Sequence, residues 1–307
     1  MLSYVLRRLV VVGIGLLIVS FGIFYGIRRS PIDPANTMIP GGANAEEKAR
    51  IHAALGLDRP ILVQYGRFLH GAFTRFDFGT SYYSHEPVTR LVLQRVPVSL
   101  SLVLPAFLLV LCVGIPTGFL AAIRRNSLLD YSVVGAVYVI QSFADFWIAI
   151  VLILVFVVRI PIFPAFGRAG PTSFVLPALS LAIPLFGRVT RFVRAGLLDV
   201  LQHDYIRTAR SKGASASRVY VKHAFRNVLV PLVTDTSMQF VWTIGNAIVI
   251  EEIFAWPGIG RLTINAIRLG DFPTAQLCVL FFAVMFMVVN LAVDISYTFL
   301  DPRIHYA

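Results

Sequence analysis

Six stretches of the chain are almost wholly apolar: 9–27, 97–122, 131–158, 173–187, 232–253 and 276–299. Crossing the hydrocarbon core takes about 20 apolar residues in a helix, so five of the six are long enough to span as they stand. The fourth, 173–187, is short and carries Pro177 and Pro184, which remove helical donors and kink a helix. Within a bundle such freed carbonyls find partners, so this run is also expected to span. Pro105, Gly114 and Pro116 predict bending in the second run. Between the runs the chain is polar. Residues 28–96 carry turn signals at Ser30-Pro31 and Gly41-Gly42, a helical stretch over Ala45–Leu55, and an amphipathic stretch over Val88–Arg95 that leads into the second run. The expected division is therefore 1–27, an N-terminal end with the first span; 28–96, an extracytoplasmic subdomain; and 97–307, a core with the remaining five spans and a connection at 188–231.

Composition agrees with that pattern. Hydrophobic side chains make up 57% of the 307 residues and charged ones 14%, against roughly 25% charged in soluble chains. A soluble enzyme, a disordered chain and a secreted disulfide scaffold are excluded as classes. Cys112 and Cys278 both lie inside apolar runs and act as small hydrophobes. The formal charge of +11 is not read as a nucleic-acid signature, because zinc-finger spacings and basic heptads are absent. It follows the positive-inside rule instead: with the long 28–96 segment set aside, fourteen Lys and Arg fall on the side shared by both termini and four on the other. Both termini are expected in the cytoplasm. Arg28 and Arg29 disagree locally, since they flank the far end of the first run as heavily as Arg7 and Arg8 flank its start. That run exceeds a usual signal-peptide core and lacks a small-residue cleavage site, so it is expected to stay as an anchor.

Five charges interrupt the runs, all acidic: Asp145, Asp235, Glu251, Glu252 and Asp294. Four lie near run ends. Asp145 lies about halfway along 131–158, where a lipid-facing carboxylate costs about 2.5 kcal/mol or more. Asp145, with Gln141 one helical turn earlier, is therefore the candidate lining of a translocation pathway. Phe143, Phe146 and Trp147 flank it and are expected to pack. The Gly22/Gly26 and Gly114/Gly118 pairs permit close helix approach. The six histidines all lie outside the runs without ligand spacing, which argues against metal catalysis.

The connection 188–231 holds nine of the 27 basic residues. A helical pattern over Asp204, Tyr205, Ile206, Arg207, Thr208, Ala209, Arg210, Ser211 and Lys212 ends at Gly213, which suits a left-handed cap, and a second helix is expected from near Ser217. Such a helix–turn–helix knob transmits force only if a partner grips it. The chain has no phosphate-cradling Gly-x-x-x-x-Gly-Lys-Ser/Thr run of its own.

These residues, with Leu55-Gly56-Leu57-Asp58-Arg59-Pro60, Phe76-Asp77-Phe78-Gly79-Thr80-Ser81, Lys222-His223-Ala224-Phe225-Arg226-Asn227, Glu251 to Arg261 and the tail Leu300-Asp301-Pro302-Arg303-Ile304, resemble the dipeptide/oligopeptide/nickel branch of binding-protein-dependent ABC importer permeases. The resemblance runs nearly end to end. It departs where the wider superfamily has Glu-Ala-Ala and this chain has Arg207-Thr208-Ala209, and at Arg226, where many relatives carry proline. It implies an all-α type I ABC importer permease fold in the cell membrane, with six transmembrane helices and an extracytoplasmic insertion after the first. It further implies a second homologous permease, two ATPase subunits that hold ATP and Mg and take 204–213 as a coupling helix, and an extracytoplasmic substrate-binding protein. Trp256, Pro257, Gly258 and Gly260 would then lie near the outer gate and that receptor, besides serving as an interfacial aromatic and a tight turn. Peptides are the expected cargo, with nickel chelates, glutathione or oligosaccharides as alternatives. A secondary transporter or channel working without ATPases is the rival class.

Overall fold

A helix or helix pair lies over every one of the six apolar runs. The computed structural model describes residues 2–39, 44–164, 166–168 and 170–300; the Gly41-Gly42 turn and the tail motif from Asp301 onward lie outside the described residues. In chain order the helices are α1 (Leu2–Arg28), α2 (Pro34–Met38), α3 (Ala45–Leu55), α4 (Ile61–Arg75), α5 (Val88–Ile123), α6 (Leu128–Gln141), α7 (Asp145–Ile153), α8 (Val175–Val200), α9 (Asp204–Ser211), α10 (Ala216–Arg218), α11 (Arg226–Ile253), α12 (Ile259–Leu269) and α13 (Phe272–Leu300). Wider π turns continue α7 over Leu154–Arg159 and join α10 to α11 over Val219–Phe225, and a 3₁₀ turn at Pro171–Phe174 opens α8. By length and apolar composition four helices are able to cross a membrane, or five if the bent pair α6/α7 counts as one. The helix α11 covers the predicted fifth run, but Asp235, Glu251 and Glu252 dilute its apolar character.

Local sequence explains the element ends. Asn44 caps α3 by accepting from the Glu47 amide at 2.9 Å while Glu47 accepts from the Asn44 amide at 2.9 Å. The helix then stops at Gly56, whose φ of +66° an L side chain adopts only under strain. In α5 the expected amphipathic stretch from Val88 and the second run form one 36-residue helix, which Pro105 and Pro116 do not end. The fourth span is longer than its apolar run. Beyond Gly187, Val189, Val193 and Leu197 recur every four residues and are fully buried, so the 3.6-residue pattern carries α8 on to Val200. Pro177 falls in the first turn of α8, where no donor is lost, and Pro184 is accommodated inside the helix.

The chain forms two compact units. The first comprises Met1–Leu100 and Ala255–Val288. Its core is Val88, Val92, Ile259, Leu277 and Cys278, with Phe78, Val96 and Leu262 packed against it. Asp271 ties the 28–96 segment to the start of α13, accepting from Ser81 Oγ at 2.5 Å, the Tyr82 amide at 3.0 Å and Thr274 Oγ1 at 2.7 Å. Phe24 on α1 holds to α4 through ring contacts with Tyr65 at 5.3 Å and Phe68 at 5.9 Å. In the second unit, Ser101–Phe254 with the end of α13 from Val289, the helices α6, α7, α8 and α11 pack on one another. Here α5 and α8 approach with backbones nearly touching. A Cβ on Gly118 would collide with the Thr190 carbonyl oxygen and press Val193 Cβ at 3.0 Å, while Thr190 Oγ1 donates to the Gly114 carbonyl at 3.3 Å. The Gly22/Gly26 pair, of identical spacing, meets nothing within 4 Å.

Candidate functional site

The chain from α8 into α11 builds a short projecting knob. His203, with extended backbone (φ −71°, ψ 148°), is the cap residue of α9, and Asp204 in the first turn places a negative charge at the positive end of the helix. Eight residues are too few to stay helical alone, so packing must hold them. Ile206 supplies the anchor and is fully buried. Asn227 Nδ2 adds a second tie, donating to Tyr205 Oη at 2.7 Å from the start of α11. Gly213 has φ +79°, the left-handed cap that the sequence predicts, and its amide bonds the Arg210 carbonyl at 2.9 Å. The next helix begins at Ala216, one residue before expectation. Asp204, Arg207, Thr208, Arg210, Ser211 and Lys212 are all exposed, and Ala209 is half-buried. The Arg207–Asp204 pair at 3.8 Å is solvent-exposed and contributes little to stability. What results is an anchored apolar underside with a mixed-charge upper face.

Polar groups within the spans collect along α8. Arg188, Arg191 and Arg194 recur every three residues, and each meets an acceptor on another helix. Arg188 Nη1 donates to Gln239 Oε1 at 3.2 Å, and Arg191 Nη1 donates to Gln141 Oε1 at 2.8 Å. Arg194 makes a two-pronged pair with Asp130 at 2.5 and 2.8 Å. The Asp130 side chain is only 2% exposed, so this carboxylate depends on its arginine. Asp145 accepts from Asn246 Nδ2 at 2.8 Å and, with Arg188, Gln239 and Trp242, lines a cavity of about 20 Å³, room for a single water.

Gln141 and Asp145 do not share one helix face as expected. The helix ends at Gln141, the chain turns through Ser142–Ala144, and α7 restarts at Asp145 with a bend of 96°. The Ser142 hydroxyl donates to the Tyr138 carbonyl at 2.8 Å and its amide to the same oxygen at 3.1 Å, which closes the last turn. At the restart, the Asp145 carboxylate occupies the first turn of α7, where the helix dipole favours it. The two residues still face the same neighbour, since Gln141 bonds Arg191 while Asp145 shares its cavity with Arg188. The flanking aromatics are not buried in this chain: Phe143 and Trp147 stack at 4.1 Å with 10° between planes, both exposed, and Phe146 is exposed too.

The turn after α11 differs from its expectation as an interfacial aromatic. Trp256 is 1% exposed and its Nε1 donates to the Val98 carbonyl at 3.2 Å, so the ring is a core group of the first unit. Around it Arg95 Nη1 reaches the Pro257 carbonyl at 2.8 Å and the Ser99 hydroxyl accepts from the Ile259 amide at 2.9 Å. Gly258 precedes the first residue of α12, and both Gly258 and Gly260 are buried.

This architecture can be set beside known proteins. Residues 114–306 match the binding-protein-dependent transport system inner membrane component, and residues 1–103 match the N-terminal domain of such membrane components. The chain belongs to this family. A Brucella suis protein named as a peptide transport system permease is 40% identical to this permease, with all of both chains covered. The glutathione transport system permease protein GsiC of Salmonella paratyphi A is 35% identical, again over all of both chains. Among solved structures, a chain of the MetNI methionine ABC transporter in an inward-facing conformation superposes with a TM-score of 0.61 at 17% identity, covering 70% of this permease and 99% of that chain. That likeness establishes the type I importer fold. The permease is accordingly an inner membrane protein.

Sequence reasoning passed over six groups that structure brings into the polar row: Asp130, Arg188, Arg191, Arg194, Gln239 and Asn246. The arginines on α8 read as topology signals, and only their three-residue spacing hinted at a common face. Asp130 follows Ser127, which accepts from its amide at 3.3 Å, so it looked like an ordinary helix start.

Proposed function

We propose that this permease forms half of the transmembrane pathway of an ATP-driven importer of di- and oligopeptides delivered by an extracytoplasmic binding protein. The observation that carries this reading is the α9 knob, whose apolar residue is spent on anchoring while its charged residues are left outward for a partner. Full-length similarity to proteins named for peptide and glutathione transport supports the cargo class. In this reading residues 204–213 sit in a cleft of one ATPase subunit, the two ATPases bind ATP and Mg, and their closure turns the permease and a second homologous permease between inward-open and outward-open states. No bond is made or broken on this chain. Both termini lie in the cytoplasm. Gln141 and Asp145 line the pathway beside Arg188 and Arg191, and the turn at Trp256, Pro257, Gly258 and Gly260 supports the outer gate. Glutathione is itself a small peptide, so the same reading accommodates it.

The test is uptake of labelled peptides by cells carrying the intact importer. Deleting 204–213 should leave the permease in the membrane but lose both the co-purifying ATPases and uptake. Transport by the isolated permease along an ion gradient would contradict the reading. Asp145→Asn should change the rate or the selectivity of uptake; unaltered transport of every peptide would remove Asp145 from the pathway.

A further inference from the structure

The pair Arg28-Arg29, which the topology count leaves unexplained, ends α1 beside a cavity in the first unit. It measures about 400 Å³ and is walled by Arg28, Arg29, Asp33, His52, Arg59 and Gln64, among others. Three guanidinium groups therefore face one carboxylate. None of the three arginines makes an ion pair among the described residues. The Arg28 Nε donates to the neutral Gln64 Oε1 at 2.8 Å, and its Nη1 is buried without a hydrogen-bond partner. Its guanidinium lies between the rings of Phe24 and Phe272, at 4.4 and 5.2 Å from their centroids. These contacts orient the charge without neutralising it. Burial pushes the nearby Tyr82 hydroxyl up, against the pull of Arg28, so it stays uncharged.

The carboxylate is already engaged. Asp33 Oδ1 accepts from the Ala35 amide at 2.9 Å and lies 2.9 Å from His52 Nε2. Burial works against its charge, but the hydrogen bonds from His52 and Ala35, with the positive charges of His52 and Lys48, hold it below the usual carboxylate range. Gln64 is likewise occupied, its amide donating to the Leu57 and Arg59 carbonyls at 3.2 and 2.8 Å. The cavity thus has a fixed wall and surplus positive charge, suited to an anion with several acceptor oxygens.

The surface of α1 leading to the cavity narrows the source of that anion. Only 11% of the apolar window within Arg7–Arg28 is buried, and Leu17, Ile18, Phe21 and Tyr25 are exposed along it. A long apolar face that ends in a cationic cavity matches an amphiphile, with acyl chains along the helix and its charge at the end. We propose that this cavity binds the phosphodiester headgroup of an anionic phospholipid, with Arg28, Arg29 and Arg59 as its cationic contacts.

Native mass spectrometry of the purified full-length permease tests this, with phosphatidylglycerol, phosphatidylethanolamine and inorganic phosphate titrated separately. Wild type should retain phosphatidylglycerol in preference to phosphatidylethanolamine. Arg28→Gln, Arg29→Gln and Arg59→Gln should each weaken retention about fivefold, the equivalent of about 1 kcal/mol per charge. The lysine triple variant, Arg28→Lys/Arg29→Lys/Arg59→Lys, should keep most of the preference and guards against a folding defect. Arg67→Gln/Arg75→Gln removes two exposed charges of α4 outside the cavity wall and should change nothing. Equal retention of the two lipids, retention unaltered by the glutamine variants, or binding of inorganic phosphate without a lipid preference would each overturn the proposal. Peptide uptake is not measured, so this outcome is independent of the transport reading.

Discussion

Two short helices lie in connections between spans, and they spend their apolar residues in opposite ways. In α9 one side chain, Ile206, is fully buried and nearly everything else is exposed. In α12 the residues Ile259, Gly260, Thr263 and Ala266 are buried, and the preceding Trp256 is fully buried too. Both helices are amphipathic and both end at a left-handed glycine, Gly213 and Gly270. The contrast separates a structural wedge from the outward-facing helix proposed above as a handle. A wedge is committed on most of its surface, whereas a handle carries only enough packing to hold its shape.

That contrast can be broken at several points. The largest effect should come from Trp256→Ala, which empties a fully buried site and costs about 3–5 kcal/mol; thermal unfolding in detergent should show a large drop, and a small one would mean the ring is not a core group. Next, Ile206→Ala should cost about 2–4 kcal/mol locally. Because α9 has no other fully buried residue, hydrogen exchange should rise over 204–213 while the spans stay protected; exchange spread evenly through the chain would remove the single-anchor description. A finer comparison sets the two glycines against each other. Gly213→Ala meets nothing within 4 Å and should cost only the left-handed strain, about 1 kcal/mol. Gly270→Ala carries that strain and also crowds Ile32 Cγ2 at 3.2 Å and the Pro34 backbone at 3.3 Å, so it should be the more damaging of the two. The smallest effect on stability belongs to Arg207→Gln, whose ion pair is exposed. Its melting temperature should match wild type while ATPase retention falls, and unimpaired retention would clear Arg207 of any role in coupling.

Much of this was legible from residue order. The six runs, the α9 helix with its Gly213 cap and the helix start near Ser217 follow from periodicity and turn chemistry, which act over a few residues. Three features were not legible. The break between α6 and α7 has no proline or glycine at Ser142–Ala144 to announce it; the last turn is closed instead by the hydroxyl and amide of Ser142 on the Tyr138 carbonyl. The helix α12 was read as a turn because Pro257, Gly258 and Gly260 dominate its start, although Ile259, Leu262, Ala266 and Leu269 keep a helical spacing behind them. The Asp130–Arg194 pair joins residues 64 apart in sequence, and local signals cannot report such a meeting. The same limit applies to glycine spacing: Gly114/Gly118 and Gly22/Gly26 look alike on paper, and only the first pair lies against a neighbouring backbone.

The contact at Gly118 has a mechanical consequence. Helices separated by side chains can slip as those side chains change rotamer, but α5 and α8 meet there through main-chain atoms that have no alternative arrangement. Only three residues, 201–203, separate the end of α8 from the start of α9. On the function proposed above, a tug on the α9 knob would reach α8 across this brief linkage, and the main-chain contact at Gly118 would carry the neighbouring part of α5 with it.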